Sequence, residues 1–154
     1  MKSFPRKLIS VIGAGSPDAQ ARQWAQEVGG LVARRGFGLV CGGLGGVMEA
    51  ACRGCAEAGG LTVGILPGVD AAQANPWVQV VIPTGLGQAR NVLVVMAGCG
   101  AIAVAGGPGT LSEIGHAIKM GRPVVGLGTW ALPGLAEADT PEEAVELLFD
   151  RLHC

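Results

Sequence analysis

The sequence contains few charged residues and few aromatic ones. Lys, Arg, Asp and Glu make up 15% of its 154 residues, and aromatic residues make up 4%. Soluble domains average roughly 25% charged residues. The net charge is −1 and no basic run is present, so we expect no nucleic-acid partner, because such ligands are bound by basic patches and stacking rings. Since 49% of the residues are apolar, little polar surface remains to cover a monomer, which favours a homo-oligomer.

Long hydrophobic runs are also missing. No segment reaches the roughly 18 consecutive apolar residues of a membrane-spanning helix, so we expect no membrane partner. The N-terminal stretch MKSFPRKLISVIGAG has basic residues, but its apolar part is short and enters a glycine turn. This pattern is typical of a first strand rather than a signal peptide, and it predicts a cytoplasmic protein.

Cysteine is too scarce for a disulfide framework or a zinc site. The five cysteines are an odd number, and the single CxxC pair, Cys52 and Cys55, has no second pair with which to complete four zinc ligands. We therefore expect no metal site and interpret the cysteines as small core or interface residues. A redox role for Cys52 and Cys55 is the alternative.

Strand-like and helix-like segments alternate along residues 1–154, with no linker or repeat between them. The strand-like runs are KLISVIGAG, FGLVCGG, LTVGILPG, VQVVIPTG, AIAVAGG and PVVGLGTW. The segments with helical character are 17–35, 47–58, 86–97, a segment ending at 119, and DTPEEAVELLFDRL, where Thr140 is the expected N-cap. Such alternation predicts one Rossmann-like α/β domain with a doubly wound parallel sheet and helices on both faces.

Three glycine-rich clusters follow the first, second and fifth predicted strands. In a parallel sheet all three lie at the carboxyl edge, where open α/β sheets bind ligands. Glycine allows backbone N–H groups to approach an anion, and each cluster leads into a helix N-terminus. We interpret the clusters as a cradle for a phosphorylated small molecule, with tight strand-to-helix turns as the alternative. The residues are Gly13, Ala14, Gly15 and Ser16; Gly42, Gly43, Gly45 and Gly46; and Gly106, Gly107, Gly109 and Thr110.

The first cluster does not match a dinucleotide-binding motif. GAGSPD lacks the third glycine of that fingerprint, so NAD is not the expected ligand. In the third cluster, Thr110 and Glu113 have the spacing of a helix capping box. That alternative does not account for the Gly-Gly-Pro-Gly before Thr110, so Glu113 is also a candidate for the ligand site.

Arg90 is the only charged residue in TGLGQARNVLVVMAG. It lies where a helix is expected to begin at the ligand edge, and a guanidinium there can hold a phosphate through two hydrogen bonds. Asn91 and Thr84 are the polar residues expected beside it. A solvated surface arginine is the alternative.

The segments GGLGGVMEAA, GLGQARN and AGGPGTLSEI resemble the signature segments of the superfamily once misnamed lysine decarboxylases. That superfamily includes the LONELY GUY phosphoribohydrolases and the molybdenum cofactor carrier proteins. The third segment is similar to the family's Pro-Gly-Gly-x-Gly-Thr-x-x-Glu, with Ala105 in place of the proline. The resemblance runs from Val11 to about Trp130. It implies a Rossmann-like domain, a dimer or tetramer, and a phosphate site between the glycine loops.

The resemblance leaves two functions open. Arg90 and Glu113 are similar to the LONELY GUY residues that hold the nucleotide and assist N-glycosidic cleavage, which would make them catalytic. That branch usually has lysine where Asn91 stands and a longer segment before it. The short segment here, together with VVGLGTW, looks more like the carrier branch, which implies molybdenum cofactor, a phosphorylated pterin, as the bound ligand. We expect a carrier, with a phosphoribohydrolase acting on nucleoside 5′-monophosphates as the alternative.

Overall fold

The computed structural model describes residues 7–154, which form one seven-stranded sheet with helices on both faces. Residues 1–6, the first part of the N-terminal stretch considered above, lie outside the described residues. The strands are β1 (Leu8–Gly13), β2 (Gly38–Cys41), β3 (Thr62–Leu66), β4 (Val80–Pro83), β5 (Ala101–Val104), β6 (Val124–Leu127) and β7 (Ala136–Ala138). All strand pairs are parallel, in the order β4-β3-β2-β1-β5-β6-β7. The predicted fold class is confirmed.

Five α-helices connect or follow the strands. They are α1 (Ala19–Arg34), α2 (Val47–Glu57), α3 (Arg90–Ala97), α4 (Pro108–Lys119) and α5 (Pro141–Phe149), with short 3₁₀ helices at Ala71–Gln73 and Gly87–Ala89. As predicted, the Thr140 hydroxyl caps α5 by accepting the Glu143 N–H at 3.2 Å. No helix within residues 7–154 is both long and apolar enough to cross a bilayer.

The core has two layers because successive side chains of a strand point to opposite faces. Ile9 and Val11 of β1 pack with α1, α2 and α5 on one face. Ile12 of the same strand packs with α3 and α4 on the other. The central strands are buried on both sides, which accounts for their uninterrupted apolar sequence.

The sheet reverses its winding direction between β1 and β5. The chain passes from β1 outward through β2 and β3 to β4, then returns to place β5 on the other side of β1. The loops after β1 and β5 consequently diverge in opposite directions and leave a crevice at the carboxyl edge, the position where such sheets bind ligands.

Three sequence expectations differ from the structure. The predicted helix from Leu86 begins later, because residues 87–89 form a 3₁₀ turn before α3. The short strand β7 was missed, since its sequence AEA has no apolar run. Cys99 and Cys154 form a disulfide with Cα atoms 5.7 Å apart, so their interpretation as unpaired core or interface residues was wrong.

Candidate functional site

A cleft of about 250 Å³ opens at the carboxyl edge between β1 and α4. It lies at the crevice where the winding of the sheet reverses. Its walls are the end of β1, the residue after β2, the start of α3 and the start of α4. The lining residues are Val11, Ile12, Gly13, Ala14, Gly15, Gly42, Met48, Gln88, Arg90, Asn91, Gly107, Pro108, Gly109, Thr110 and Glu113.

The N-terminus of α4 supplies open backbone donors to this cleft. Gly107 is the N-cap and Pro108 is the first helical residue, a position suited to proline because its missing N–H has no partner there anyway. The N–H groups of Gly109 and Thr110 have no acceptor among residues 7–154. With the positive end of the helix dipole behind them, these groups have the arrangement that helix N-termini use to bind anions.

The capping-box alternative for Thr110 and Glu113 was wrong. Thr110 is the third helical residue and not the N-cap, and its hydroxyl accepts the Gly107 N–H at 3.3 Å. Glu113 is therefore in the second turn, too far along the helix to cap its start. This leaves the Glu113 carboxylate facing the cleft.

Glu113 is a buried carboxylate without a hydrogen-bond donor in the described part of the chain. It is 7% exposed. Burial raises its pKa to about 7, and the neighbouring Arg90 charge opposes that rise. A carboxyl group with this pKa exchanges its proton near neutral pH, so the charge of the cleft wall changes in the physiological range.

Arg90 begins α3 and is almost as deeply buried, at 8% exposed. Its Nη1 donates to Asn91 Oδ1, and its Nη2 lies 3.5 Å from the Gly42 carbonyl. Its Nε is buried and has no partner within residues 7–154. Burial lowers the pKa of Arg90, while Glu113 and then Cys41 act in the opposite direction. A guanidinium stays charged in proteins, so Arg90 presents a buried cation with donor capacity to spare.

Arg90 and Glu113 do not form an ion pair. Both line the cleft, but within residues 7–154 the side chains that come within salt-bridge distance are those of Arg53 and Glu57 on α2. The cleft thus holds a cation and a titratable acid that are both available to a ligand.

The first two glycine loops pack against each other. The Val47 N–H donates to the Ala14 carbonyl at 3.0 Å. A Cβ on Gly46, whose φ is 67°, would come within 2.5 Å of the Ala14 and Gly15 carbonyls. A Cβ on Gly13 would lie 2.3 Å from the Val104 carbonyl. These glycines permit close backbone packing, so the turn interpretation accounts for part of the glycine signal.

Ten of the sixteen residues predicted for the ligand site line the cleft, and six do not. Gly106 lies against the edge of the Trp130 ring, and Gly43 lies against Leu66. The Thr84 hydroxyl donates to the Leu66 carbonyl at 2.6 Å and so stabilises the turn after β4. The six residues outside the lining are Ser16, Gly43, Gly45, Gly46, Thr84 and Gly106.

Sequence reasoning missed five of the lining residues, which are Val11, Ile12, Met48, Gln88 and Pro108. Gln88 lies in the turn before α3, and its Oε1 accepts from Asn91 Nδ2 at 3.4 Å. Met48 follows the second glycine loop; its Sδ would be 2.8 Å from a Cβ on Gly42. Gln88 stands within GLGQARN, so its place beside Arg90 was the available signal. An apolar Met48 carries no comparable signal.

The three free cysteines do not line the cleft. Cys41, Cys52 and Cys55 are fully buried, in agreement with their interpretation as core residues. The sulfurs of Cys41 and Cys52 are 3.4 Å apart. The hydrogen bond between them, followed by burial, raises the pKa of Cys52, and burial raises that of Cys55 to about 12. The described residues contain no group of three or more His, Cys, Asp or Glu side chains placed to hold a metal.

Comparison with known proteins gives a consistent result. The model of the SLOG cluster4 family matches residues 6–150. An uncharacterised protein from Archaeoglobus fulgidus is 44% identical over 138 residues, which is 89% of this chain and 91% of the relative.

Two solved structures resemble the chain over almost its full length. The molybdenum cofactor binding protein from the phototrophic bacterium Rippkaea orientalis has a TM-score of 0.89 and 35% identity, covering 96% of this chain and 98% of its own. The molybdenum cofactor carrier protein from Chlamydomonas reinhardtii has a TM-score of 0.86 and 33% identity, again covering 96% and 98%.

Proposed function

Because the chain belongs to the SLOG cluster4 family, we propose that it binds molybdenum cofactor, a phosphorylated pterin, in the cleft between β1 and α4 and carries it intact. The likeness to the molybdenum cofactor proteins of R. orientalis and C. reinhardtii supports this ligand. The superfamily relationship inferred from the glycine-rich segments is itself confirmed by the family match and by these structures.

The observation that carries the proposal is a set of unpartnered donors around one cleft. The N–H groups of Gly109 and Thr110 have no acceptor in residues 7–154, and neither does the buried Nε of Arg90. Arg90 and Thr110 are buried, and buried polar groups are nearly always hydrogen-bonded in folded proteins. A phosphate group supplies acceptors for the open N–H groups and is attracted by both the guanidinium and the helix dipole.

The remaining side chains suit the polar edge of a pterin. A pterin ring presents N–H donors beside ring-nitrogen and carbonyl acceptors. Glu113, Gln88 and Asn91 line the cleft and together provide acceptors and amide donors of both kinds. The chain's own residues would therefore hold the phosphate at α4 and offer these polar groups to the edge of the ring.

Mass spectrometry of the ligand released from natively purified protein tests the proposal directly. A pterin phosphate, with or without molybdenum, in near-stoichiometric amount is the expected result. Release of a nucleotide instead, together with failure of the ligand-free protein to bind a pterin phosphate, would contradict it.

Glu113 keeps a hydrolase as the second candidate. A buried carboxyl group with a pKa near 7 is suited to general acid–base work at neutral pH, and Arg90 would hold the phosphate of a nucleoside monophosphate. Incubation with AMP or a cytokinin monophosphate distinguishes the two functions. Release of free base by the wild-type protein, and its loss in Glu113→Gln, would establish the hydrolase.

We also propose that the chain works as a homo-oligomer assembled through α3. Leu93 and Met96 of this helix are solvent-exposed on the described chain, as is Leu86 just before it. Exposed apolar residues clustered on one surface are typical of an interface between subunits. Such an interface would cover the outer face of the helix whose first residue is Arg90.

A further inference from the structure

Trp130 lies beside Gly106, next to the loop that begins α4, and is not itself among the residues that line the cleft. It follows β6 by three residues and is 39% exposed. A Cβ on Gly106 would come within 2.9 Å of Cη2 and 3.0 Å of Cζ3 of its ring. Gly106 directly precedes Gly107, which lines the cleft. The edge of the indole therefore lies next to the residue that precedes the turn proposed to bind the anion.

Core packing does not explain this tryptophan. The chain has three tryptophans, and Trp24 and Trp77 pack against the buried core. Trp130 belongs to neither core cluster. Its loop is nevertheless fixed, because Gly128 has a φ of 69° and a Cβ there would lie 3.0 Å from the ring of Trp24. A large aromatic side chain is thus held at the surface without a partner for its exposed area.

We propose that Trp130 selects phosphorylated ligands that carry a flat heterocyclic ring, by stacking on that ring when the phosphate lies at the start of α4. This inference rests on the proposed function, since it needs a phosphate at Gly109 and Thr110. Because successive Cα atoms are about 3.8 Å apart, Gly106 lies no more than about 11 Å from Gly109. A ring joined to that phosphate through a short linker reaches Trp130.

A purely structural role makes a different prediction. If Trp130 only supports Gly106, its removal deforms the phosphate loop and weakens every phosphorylated ligand alike. If it stacks, its removal weakens ligands with a ring and leaves ring-free phosphates unchanged. Stacking tolerates any flat ring, because every such ring has a π-face.

The experiment measures dissociation constants by calorimetry for AMP, a pterin phosphate monoester and ribose 5-phosphate. Trp130→Ala should weaken the two ring-bearing probes by about 5- to 150-fold, the scale of a lost stacking contact. Ribose 5-phosphate should change by less than about twofold on the same argument. Trp130→Phe should restore most of the affinity. Trp77→Phe is the matched control, since Trp77 packs against the core beside Arg53.

Fluorescence gives a second readout that needs no loss of binding. In the double variant Trp24→Phe, Trp77→Phe, Trp130 is the only tryptophan left. Its emission should be quenched by AMP or the pterin phosphate and not by ribose 5-phosphate.

Two failures are distinguishable. Equal losses for all three probes in Trp130→Ala, or no quenching by a bound ring, would overturn the stacking role and leave the anion cradle standing. Failure of the wild-type protein to bind any of the probes, including ribose 5-phosphate, would refute the cradle and the stacking role together.

Discussion

Replacing Glu113 by glutamine should make the protein more stable at alkaline pH and leave it almost unchanged at acidic pH. Burial raises the pKa of this carboxyl group from 4.5 to about 7. In the folded protein the ionised form is thus disfavoured, and the free energy of unfolding falls as the pH rises from about 4.5 to 7. Glutamine has a similar shape and cannot ionise, so the free energy of unfolding of the variant should not show this fall with rising pH.

The magnitude follows from the two pKa values. Each pKa unit corresponds to about 1.4 kcal/mol, so ionised Glu113 costs the folded protein about 3 kcal/mol above pH 7. The net shift already includes the opposing interaction with Arg90, so this value is the expected gain in Glu113→Gln above pH 7. The gain should be near zero below pH 4.5 and reach its plateau at about pH 8.

Urea unfolding at several pH values between 4.5 and 8.5 measures the difference. Glu146→Gln is the control, since Glu146 is exposed on α5 and does not line the cleft. Surface substitutions of this kind change stability by less than about 0.5 kcal/mol. A wild-type and Glu113→Gln pair with parallel pH profiles would refute the assignment of a raised pKa to Glu113.

The affinity for an anion should depend on pH through the same protonation of Glu113. Sulfate is a useful probe because it stays a dianion over this pH range. Wild-type affinity for sulfate should fall as Glu113 ionises, approaching tenfold per pH unit above 7 if the anion binds only when the carboxyl is protonated. Glu113→Gln should bind sulfate at least as tightly as the wild type and with a flat pH profile. A wild-type affinity independent of pH would show that Glu113 does not face the bound anion.

Further predictions concern the cradle and the assembly. Gly109→Val should abolish binding of a phosphorylated ligand, because the side chain would block approach to the backbone N–H groups. The protein should still fold, because a Cβ at Gly109 meets no protein atom closer than 3.9 Å. The control Gly115→Ala, in the same helix and outside the cleft, should keep ligand binding and stabilise the protein by about 0.5–1 kcal/mol. Arg90→Ala should weaken AMP binding by about ten- to a hundredfold and adenosine binding much less, and calorimetry showing equal losses would mean that Arg90 only shapes the pocket. Leu93→Glu with Met96→Glu should turn an oligomer into monomers in sedimentation, and a wild-type protein already monomeric at micromolar concentration would contradict assembly through α3.

The fold was predictable because its signals are local and repeated. Three strands are largely apolar runs that enter glycine-rich turns, and helical periodicity follows each of them: residues 8–13, 38–41 and 101–104. Such alternation admits few topologies other than a parallel sheet with helices on both faces. The edge strand β7 was not predictable from the sequence, because it is three residues long and has an exposed glutamate at its centre. Its place is fixed by pairing with β6, an interaction between distant segments.

The site was only partly predictable, because glycine serves two purposes that look alike in sequence. Gly109 and Gly15 leave open space at the cleft, whereas Gly13 and Gly46 let backbone segments pack closely. The distinction depends on which atoms lie opposite each glycine. Arg90 and Glu113 were easier to identify, because a charged residue among apolar ones either faces solvent or serves a binding site. Their burial in the structure decides between these two interpretations.

The departure at Ala105 shows why the cradle does not depend on the family's proline. Ala105 has a φ of 51°, and its N–H donates to the Leu127 carbonyl at 2.9 Å. Proline has φ fixed near −65° and no N–H, so it cannot adopt this conformation or make this bond. Alanine accepts the left-handed conformation at a cost of about 1–2 kcal/mol, offset by extending the β5–β6 pairing by one hydrogen bond. The start of α4 is set further along by Pro108, which takes the first helical position where proline is favoured. Since Gly109 and Thr110 owe their open N–H groups to that helix start and not to residue 105, the turn proposed to bind the anion does not require a proline at residue 105.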